Sequence, residues 1–69
     1  MSNKPQSNTI HILHGTMRDV ATVLIITVTA TNACVEIIKN HKCTDQFGCS
    51  IEKARSIYRH ARTKGLKAA

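Results

Sequence analysis

The longest uncharged stretch of the chain predicts a strand. Nine of the twelve residues from Val20 to Thr31 are β-branched, and such side chains crowd a helix but fit a pleated sheet. Alternation along that strand would direct its even-numbered residues, from Leu24 to Ala30, toward the core. The shorter run Thr9 to His14 also alternates, so it predicts a second strand, with Gly15 to Asp19 as the connecting loop.

Two segments with helical spacing follow these strands. From Ile51 to about Lys64, apolar residues recur every three or four positions, which is one face of a helix. The shorter segment from Ala33 to about His41 shows the same spacing. Lys42 to Cys49 is then the loop between two helices. Ser50 is the predicted N-cap of the longer helix, and Gly65 is expected to end it.

These elements together predict an α+β fold of order ββαα, in which a β-hairpin or small sheet is followed by two packed helices. We expect a single small domain at residues 9–66, a disordered tail at residues 1–8 and a frayed C-terminus at residues 67–69. A two-stranded sheet with both edges free is marginally stable. A homodimer or an obligate complex with a partner is therefore expected.

The length and the net charge of the chain limit the functions that we expect of it. A chain of 69 residues buries only about 60% of its unfolded surface, which leaves no room for a preorganised catalytic cleft. We therefore expect a non-enzymatic protein without a cofactor. Ten Lys and Arg residues against four Asp and Glu residues give a net charge of +6, which favours an acidic partner. The polar N-terminus and the lack of about 20 consecutive apolar residues predict a cytoplasmic protein with no membrane contact.

A basic stripe is the clearest candidate for binding. Arg55, Arg59 and Arg62 lie at i, i+4 and i+7 on the longer predicted helix, and Lys64 extends the charge. Arginines on an exposed face bind carboxylates or phosphates with paired hydrogen bonds, although a solvated face without a partner has the same pattern. The two helices could also form a helix-turn-helix that reads DNA, but their linker of about nine residues exceeds the usual 3–4.

The cysteines allow two further interpretations. An odd number of them, without a secretory signal, argues against a disulfide framework. Cys43 and Cys49 lie near the two ends of the predicted loop, and His41 lies two residues before Cys43. These three residues are therefore weak candidates for a zinc site. A reversible Cys43–Cys49 bridge is the other possibility. No CxxC pair is present, and we expect no resident metal.

The run VEIIK, a loop with glycine and then GCSIEKARSIY resemble the C-terminal domain of the bacterial ribosomal stalk protein. The matching positions are Ile38, Lys39, Gly48, Cys49, Ile51, Ala54 and Arg55. That family has a strand and a helical hairpin here, followed by a strand, a helix and a last strand that this chain lacks. The family docks proteins on the hairpin. The resemblance therefore implies that Lys39, Gly48 and Arg55 are contact residues of a small phage-like or mobile-element regulator.

The preferred function is a small basic regulatory module that docks on an acidic protein surface, in the transcription or translation machinery. The alternative is a small DNA- or RNA-binding transcriptional regulator that uses the second predicted helix. In both cases the expected binding residues are Lys39, Gly48, Arg55, Arg59, Arg62 and Lys64.

Overall fold

The computed structural model describes residues 8–68, so the predicted tail falls almost wholly outside the described residues. Its elements are β1 (Thr9–Met17), β2 (Val20–Val28), β3 (Ala33–Lys39), β4 (Lys42–Cys49), α1 (Ile51–Thr63) and β5 (Lys67–Ala68). The strands form one antiparallel sheet in the order β4-β3-β2-β1-β5. Helix α1 packs against one face of this sheet. The fold is therefore a β-rich ββββα arrangement, and the predicted ββαα order is wrong.

The first hairpin confirms both predicted strands and corrects their limits. Strand β1 continues past His14 to Met17, and β2 ends at Val28. Only Arg18 and Asp19 remain as the turn, with φ angles of 51° and 64°. Positive φ at both central residues is the type I′ geometry, whose twist matches that of paired strands. The expected loop from Gly15 to Asp19 is thus mostly strand.

The first predicted helix, Ala33 to His41, is wrong because this segment is strand β3 and a turn. Asn40 and His41 have φ angles of 50° and 68° and form a second two-residue turn. Within β3, Ala33 and Val35 are fully buried, whereas Cys34 between them is exposed. That alternation has the period of a strand, and it competes in the sequence with the helical spacing of Cys34, Ile37 and Ile38.

The predicted loop from Lys42 to Cys49 is strand β4, which pairs with β3 and has a register shift between Ile37 and Ile38. Its residues are exposed except for the partly buried Cys49. An edge strand needs no alternating burial, because its backbone pairing with the next strand holds it in place. For that reason the sequence of β4 shows no alternation of apolar and polar residues from which a strand could be predicted.

The core lies between α1 and the inner face of the sheet. We call the face that α1 packs against the covered face, and the opposite one the open face. Leu24 and Ile26 of β2 are buried on the covered face, as predicted, and Val28 packs against them. Ala30 lies beyond the strand and is exposed. The buried core residues are Leu13, Leu24, Ile26, Ala33, Val35, Ala54, Ala61 and Leu66.

Both predicted ends of the longer helix are confirmed. The Lys53 backbone N–H donates to Ser50 Oγ at 3.1 Å. At the other end Gly65 has φ +110°, its N–H donates to the Arg62 carbonyl, and the Leu66 N–H donates to the Ala61 carbonyl, both at 3.1 Å. This pair of bonds is the Schellman arrangement.

The chain then turns back to the sheet and buries Leu66. Lys67 and Ala68, which we expected to fray, pair with His14 and Leu13 as β5. The path passes close over Gly15, where a Cβ would lie 3.0 Å from Leu66 Cδ2.

Candidate anion-binding groove

Three arginines of α1 line a groove between the helix and the N-terminal half of β1. The groove has a volume of about 890 Å³. Arg55, Arg59 and Arg62 are exposed and form its helical side. We call it the arginine groove. Its remaining lining residues are Thr9, His11, Ile26, Val28, Ile51, Tyr58 and Thr63.

The helix register explains why the arginines lie together. Ala54 and Ala61 are buried against the sheet, and the arginine stripe lies beside that apolar stripe, one residue later at Arg55 and Arg62. Residues at i, i+4 and i+7 stack along one side of a helix. The arginine stems can therefore lie along the apolar lining while the guanidinium groups stay in water. The predicted stripe of Arg55, Arg59 and Arg62 is present as one surface.

An aromatic pair lies within the same groove. The rings of His11 and Tyr58 have centroids 5.6 Å apart and planes at 69°, an edge-to-face contact that aromatic pairs favour. His11 lies on β1 and Tyr58 on α1, far apart in the sequence. Only the crossing of α1 over β1 brings them together, so no local signal in the sequence could have assigned His11 to this groove.

The groove borders a sheet edge. Within residues 8–68, β5 pairs with β1 only at Leu13 and His14. Among the described residues, the part of β1 from Thr9 to Ile12 pairs with β2 alone. Its outward backbone N–H and C=O groups are available to an extended segment, which is the usual property of an edge strand.

The other predicted binding residues lie elsewhere. Lys39 and Lys64 border a second cleft of about 530 Å³ together with Arg18, at the opposite end of β1. We call Arg18, Lys39 and Lys64 the lysine cluster. The sequence did not indicate Arg18, which the β1–β2 turn places beside the helix end. Gly48 lies on edge strand β4, where it pairs with Cys34, and it lines neither the arginine groove nor the cleft at the lysine cluster.

The geometry of β4 separates the two cysteines of the weak metal and disulfide candidates. Cys43 and Cys49 lie six residues apart on one strand, about 20 Å at about 3.3 Å per residue. Neither a shared zinc ion nor a disulfide spans that distance. Among residues 8–68, no group of three His, Cys, Asp or Glu side chains is placed to hold a metal ion.

Cys43 nevertheless has a perturbed environment. Its Sγ donates to the Asp45 backbone carbonyl at 3.6 Å. Desolvation and, second, the neighbouring Glu36 carboxylate raise the pKa of the Cys43 thiol. A raised pKa disfavours the thiolate, which is the nucleophile and metal ligand. Cys43 is therefore not an activated cysteine.

No protein-family model matches this sequence, and no curated protein or solved structure matches it significantly. The likeness to the ribosomal stalk domain thus rests on the residue pattern alone. Of the helical hairpin that it implied, the first helix and the loop are strands β3 and β4, and only the second helix is present, as α1. In the part of the chain that the structure describes, no helix is long and apolar enough to cross a membrane.

Proposed function

We propose that this protein is a non-enzymatic interaction module whose arginine groove docks on an acidic protein surface. The observation that carries this proposal is the convergence of Arg55, Arg59 and Arg62 on one groove. Such a module would suit the regulation of a larger assembly, such as the transcription or translation machinery.

Arginine suits this role because of its shape. Its planar guanidinium pairs with a carboxylate through two parallel hydrogen bonds, whereas a lysine ammonium acts as a point charge. All three guanidinium-bearing side chains are exposed, so they reach a partner without first leaving a buried site. The net charge of +6 would add long-range attraction and speed the encounter with an acidic surface.

The free edge of β1 gives the partner a second point of attachment. An extended acidic segment could add to Thr9–Ile12 as a strand, and its carboxylates would then lie beside the arginines. Main-chain hydrogen bonds would supply affinity in that mode, and side-chain pairing would supply specificity. Both features border the same groove, which favours an extended acidic segment over a flat surface.

Nucleic acid is the second candidate, because the groove combines arginines with the His11–Tyr58 pair. Proteins that bind single strands use basic grooves and aromatic side chains on which bases stack. Here the two rings already contact each other edge to face, and Tyr58 is partly buried. The helix-turn-helix version of this candidate is excluded, since strand β3 replaces its first helix and strand β4 replaces its linker.

Fluorescence anisotropy of labelled probes separates the two candidates. We would titrate the full chain into a Glu-rich peptide, a random duplex DNA and a single-stranded RNA, each at several salt concentrations. The proposal expects tightest binding to the acidic peptide at physiological salt. Tighter binding to a nucleic acid, weakening with log salt at a slope of about −0.9 per duplex phosphate contacted, would instead establish the second candidate.

Two variants of equal charge locate the site. Replacing Arg55, Arg59 and Arg62 with Gln removes three charges from the arginine groove. The matched control removes three from the lysine cluster through Lys39→Gln, Lys64→Gln and Arg18→Asn.

Asn tolerates the positive φ of Arg18, so the control preserves the turn. We expect the first variant to lose about tenfold or more in affinity and the control to lose much less. Equal losses would mean that net charge, and not the groove, causes the binding.

A further inference from the structure

Within residues 8–68, the open face of the sheet carries an apolar patch that no helix or strand covers. Strand alternation directs its side chains away from α1. Ile10 is 59% exposed and Ile12 is 41% exposed, while Val23, Ile25 and Ile38 are only partly buried. These five side chains form the open-face patch. An apolar patch of this kind on so small a protein marks an interaction surface.

The charges around the patch differ on its two sides. On the β1 side His14 pairs with Lys67 of β5, so both side chains lie on the open face. On the β3 side Glu36 pairs with Ile25 of the central strand β2, and it is the acidic residue of this face in β3. The patch is thus uncharged in the middle, basic on one flank and acidic on the other.

From this distribution we infer that the open face binds a second copy of the same chain. A two-fold axis along the central strand β2 would bring the basic flank of one copy over the acidic flank of the other. Strand β1 of one copy would lie over β3 of its partner, and the five apolar side chains would meet in the middle. A two-fold interface must be self-complementary in this way.

The register places the opposite charges within reach. Val23 pairs with His14 on one side and with Ile38 on the other, and Ile25 pairs with Ile12 and Glu36. Glu36 is therefore two residues along the strands, about 7 Å, from the row of His14 and Lys67. Side chains of this length can meet across sheets that pack about 10 Å apart.

The size of the face also fits a dimer. Four strands about 4.8 Å apart and about 28 Å long give a projected area of roughly 550 Å², and side-chain relief makes the accessible area larger. Interfaces of standard size bury about 800 Å² per partner. Face-to-face packing would cover the open face of both copies and leave each arginine groove on the outside, because α1 lies on the opposite side of the sheet.

The mass of the full chain in solution tests this inference. Sedimentation equilibrium at micromolar concentration should give about 15 kDa, twice the chain mass of 7.6 kDa. Ile12→Lys should reduce the mass to that of one chain, since it places a charge in the middle of the interface while replacing an exposed side chain. Ser56→Lys, at an exposed position on α1, is the control and should remain dimeric with the same helical circular dichroism.

A charge exchange tests the proposed axis. Glu36→Lys and Lys67→Glu should each weaken the dimer by about tenfold. The two together restore opposite charges, so the double variant should return close to the wild-type dissociation constant.

A wild-type chain that is monomeric at these concentrations overturns the inference. Additive losses in the double variant overturn it as well. The Gln variant of the arginine groove should still dimerise. The test of the dimer is therefore independent of the test of the proposed function.

Discussion

The two faces of the sheet have similar side chains but different surroundings. On the covered face, Leu13 and Val35 are completely buried and Ile26 is 2% exposed. On the open face, Ile10 and Ile12 carry the same kind of aliphatic side chain but are 59% and 41% exposed. Helix α1 lies against the covered face, and no second helix among the described residues lies against the other face. The element that packs against a side chain decides how far that side chain is buried, and the residue type alone does not predict its burial.

The two faces therefore contribute differently to the stability of the single chain. The covered face supplies the hydrophobic stabilisation of the single chain, at roughly 25 cal/mol per Å² of apolar surface buried. The open face contributes less to that stability, because its apolar side chains stay partly exposed. The continuous apolar start of β2 is typical of a strand covered on both sides, and the dimer that we infer would provide the second cover.

The largest expected effect comes from neighbouring residues that point to opposite faces. Ile26→Ala should lower the free energy of unfolding by about 3 kcal/mol, because it leaves a cavity under α1. Ile25→Ala should cost about 1 kcal/mol in a dilute, monomeric sample, since its side chain is already partly in water. Urea unfolding followed by circular dichroism measures both. Equal losses would show that the open face is as important to the monomer as the covered face.

Two glycines give a second contrast. Gly15→Ala should cost about 2 kcal/mol, because the new Cβ would lie 3.0 Å from Leu66 Cδ2 and overpack the path into β5. Gly48→Ala should change stability by about 0.5 kcal/mol or less, since its nearest neighbour is the Ala33 carbonyl oxygen at 3.8 Å. Thermal unfolding of the two variants in parallel compares them. If Gly15→Ala does not lower the stability, the Leu66 side chain can move to make room for the new methyl group.

Removing the N-cap of α1 tests what holds the start of the helix that packs on the covered face. Ser50→Ala removes the acceptor of the Lys53 N–H and should lower the free energy of unfolding by about 1 kcal/mol. Ser56→Ala, at an exposed position in the same helix, should be neutral or slightly stabilising because Ala is the better helix former. The comparison uses the same denaturation curves. A Ser50 variant as stable as the Ser56 variant would show that packing alone holds the helix start.

The smallest effect concerns the Cys43 thiol, whose pKa is raised by desolvation and then by Glu36. At about pH 8 a raised pKa means less thiolate, so alkylation by iodoacetamide should be slower in the folded chain than in urea. Replacing Cys34 and Cys49 with Ala isolates the reaction of Cys43. Glu36→Gln should then speed alkylation in the folded state only. An unchanged rate would assign the slow reaction to desolvation alone.

Sequence patterns predicted the C-terminal helix α1 and both of its ends well. The apolar spacing from Ile51, the Ser50 cap and the Gly65 stop are local signals, and each depends on residues within a few positions of one another. The arginine stripe was predictable for the same reason. The start of β2 at Val20 was also fixed locally, by β-branched side chains that disfavour a helix.

The middle of the chain could not be predicted in this way. The segment ACVEIIK fits one helical face and also fits a strand whose Ala33 and Val35 point inward. A helix of about nine residues gains little from its own backbone, whereas a strand here completes the hydrogen bonds of β2 and gains a partner in β4. The left-handed conformations of Asn40 and His41 then close a tight turn that the sequence only weakly indicates, since Asn favours such positions.

The sequence by itself determined the net positive charge, the C-terminal helix with its caps, the strand character of the first half and the three arginines on one helical side. Only the tertiary structure decided that β3 and β4 replace a helix and a loop, that His11 and Tyr58 share a groove with those arginines, and that Lys39, Lys64 and Gly48 lie apart from it. The physical reason is the range of the interactions. Capping and side-chain spacing act over a few residues, but strand pairing and helix docking join positions far apart in the chain, and a single local pattern is compatible with more than one of those pairings.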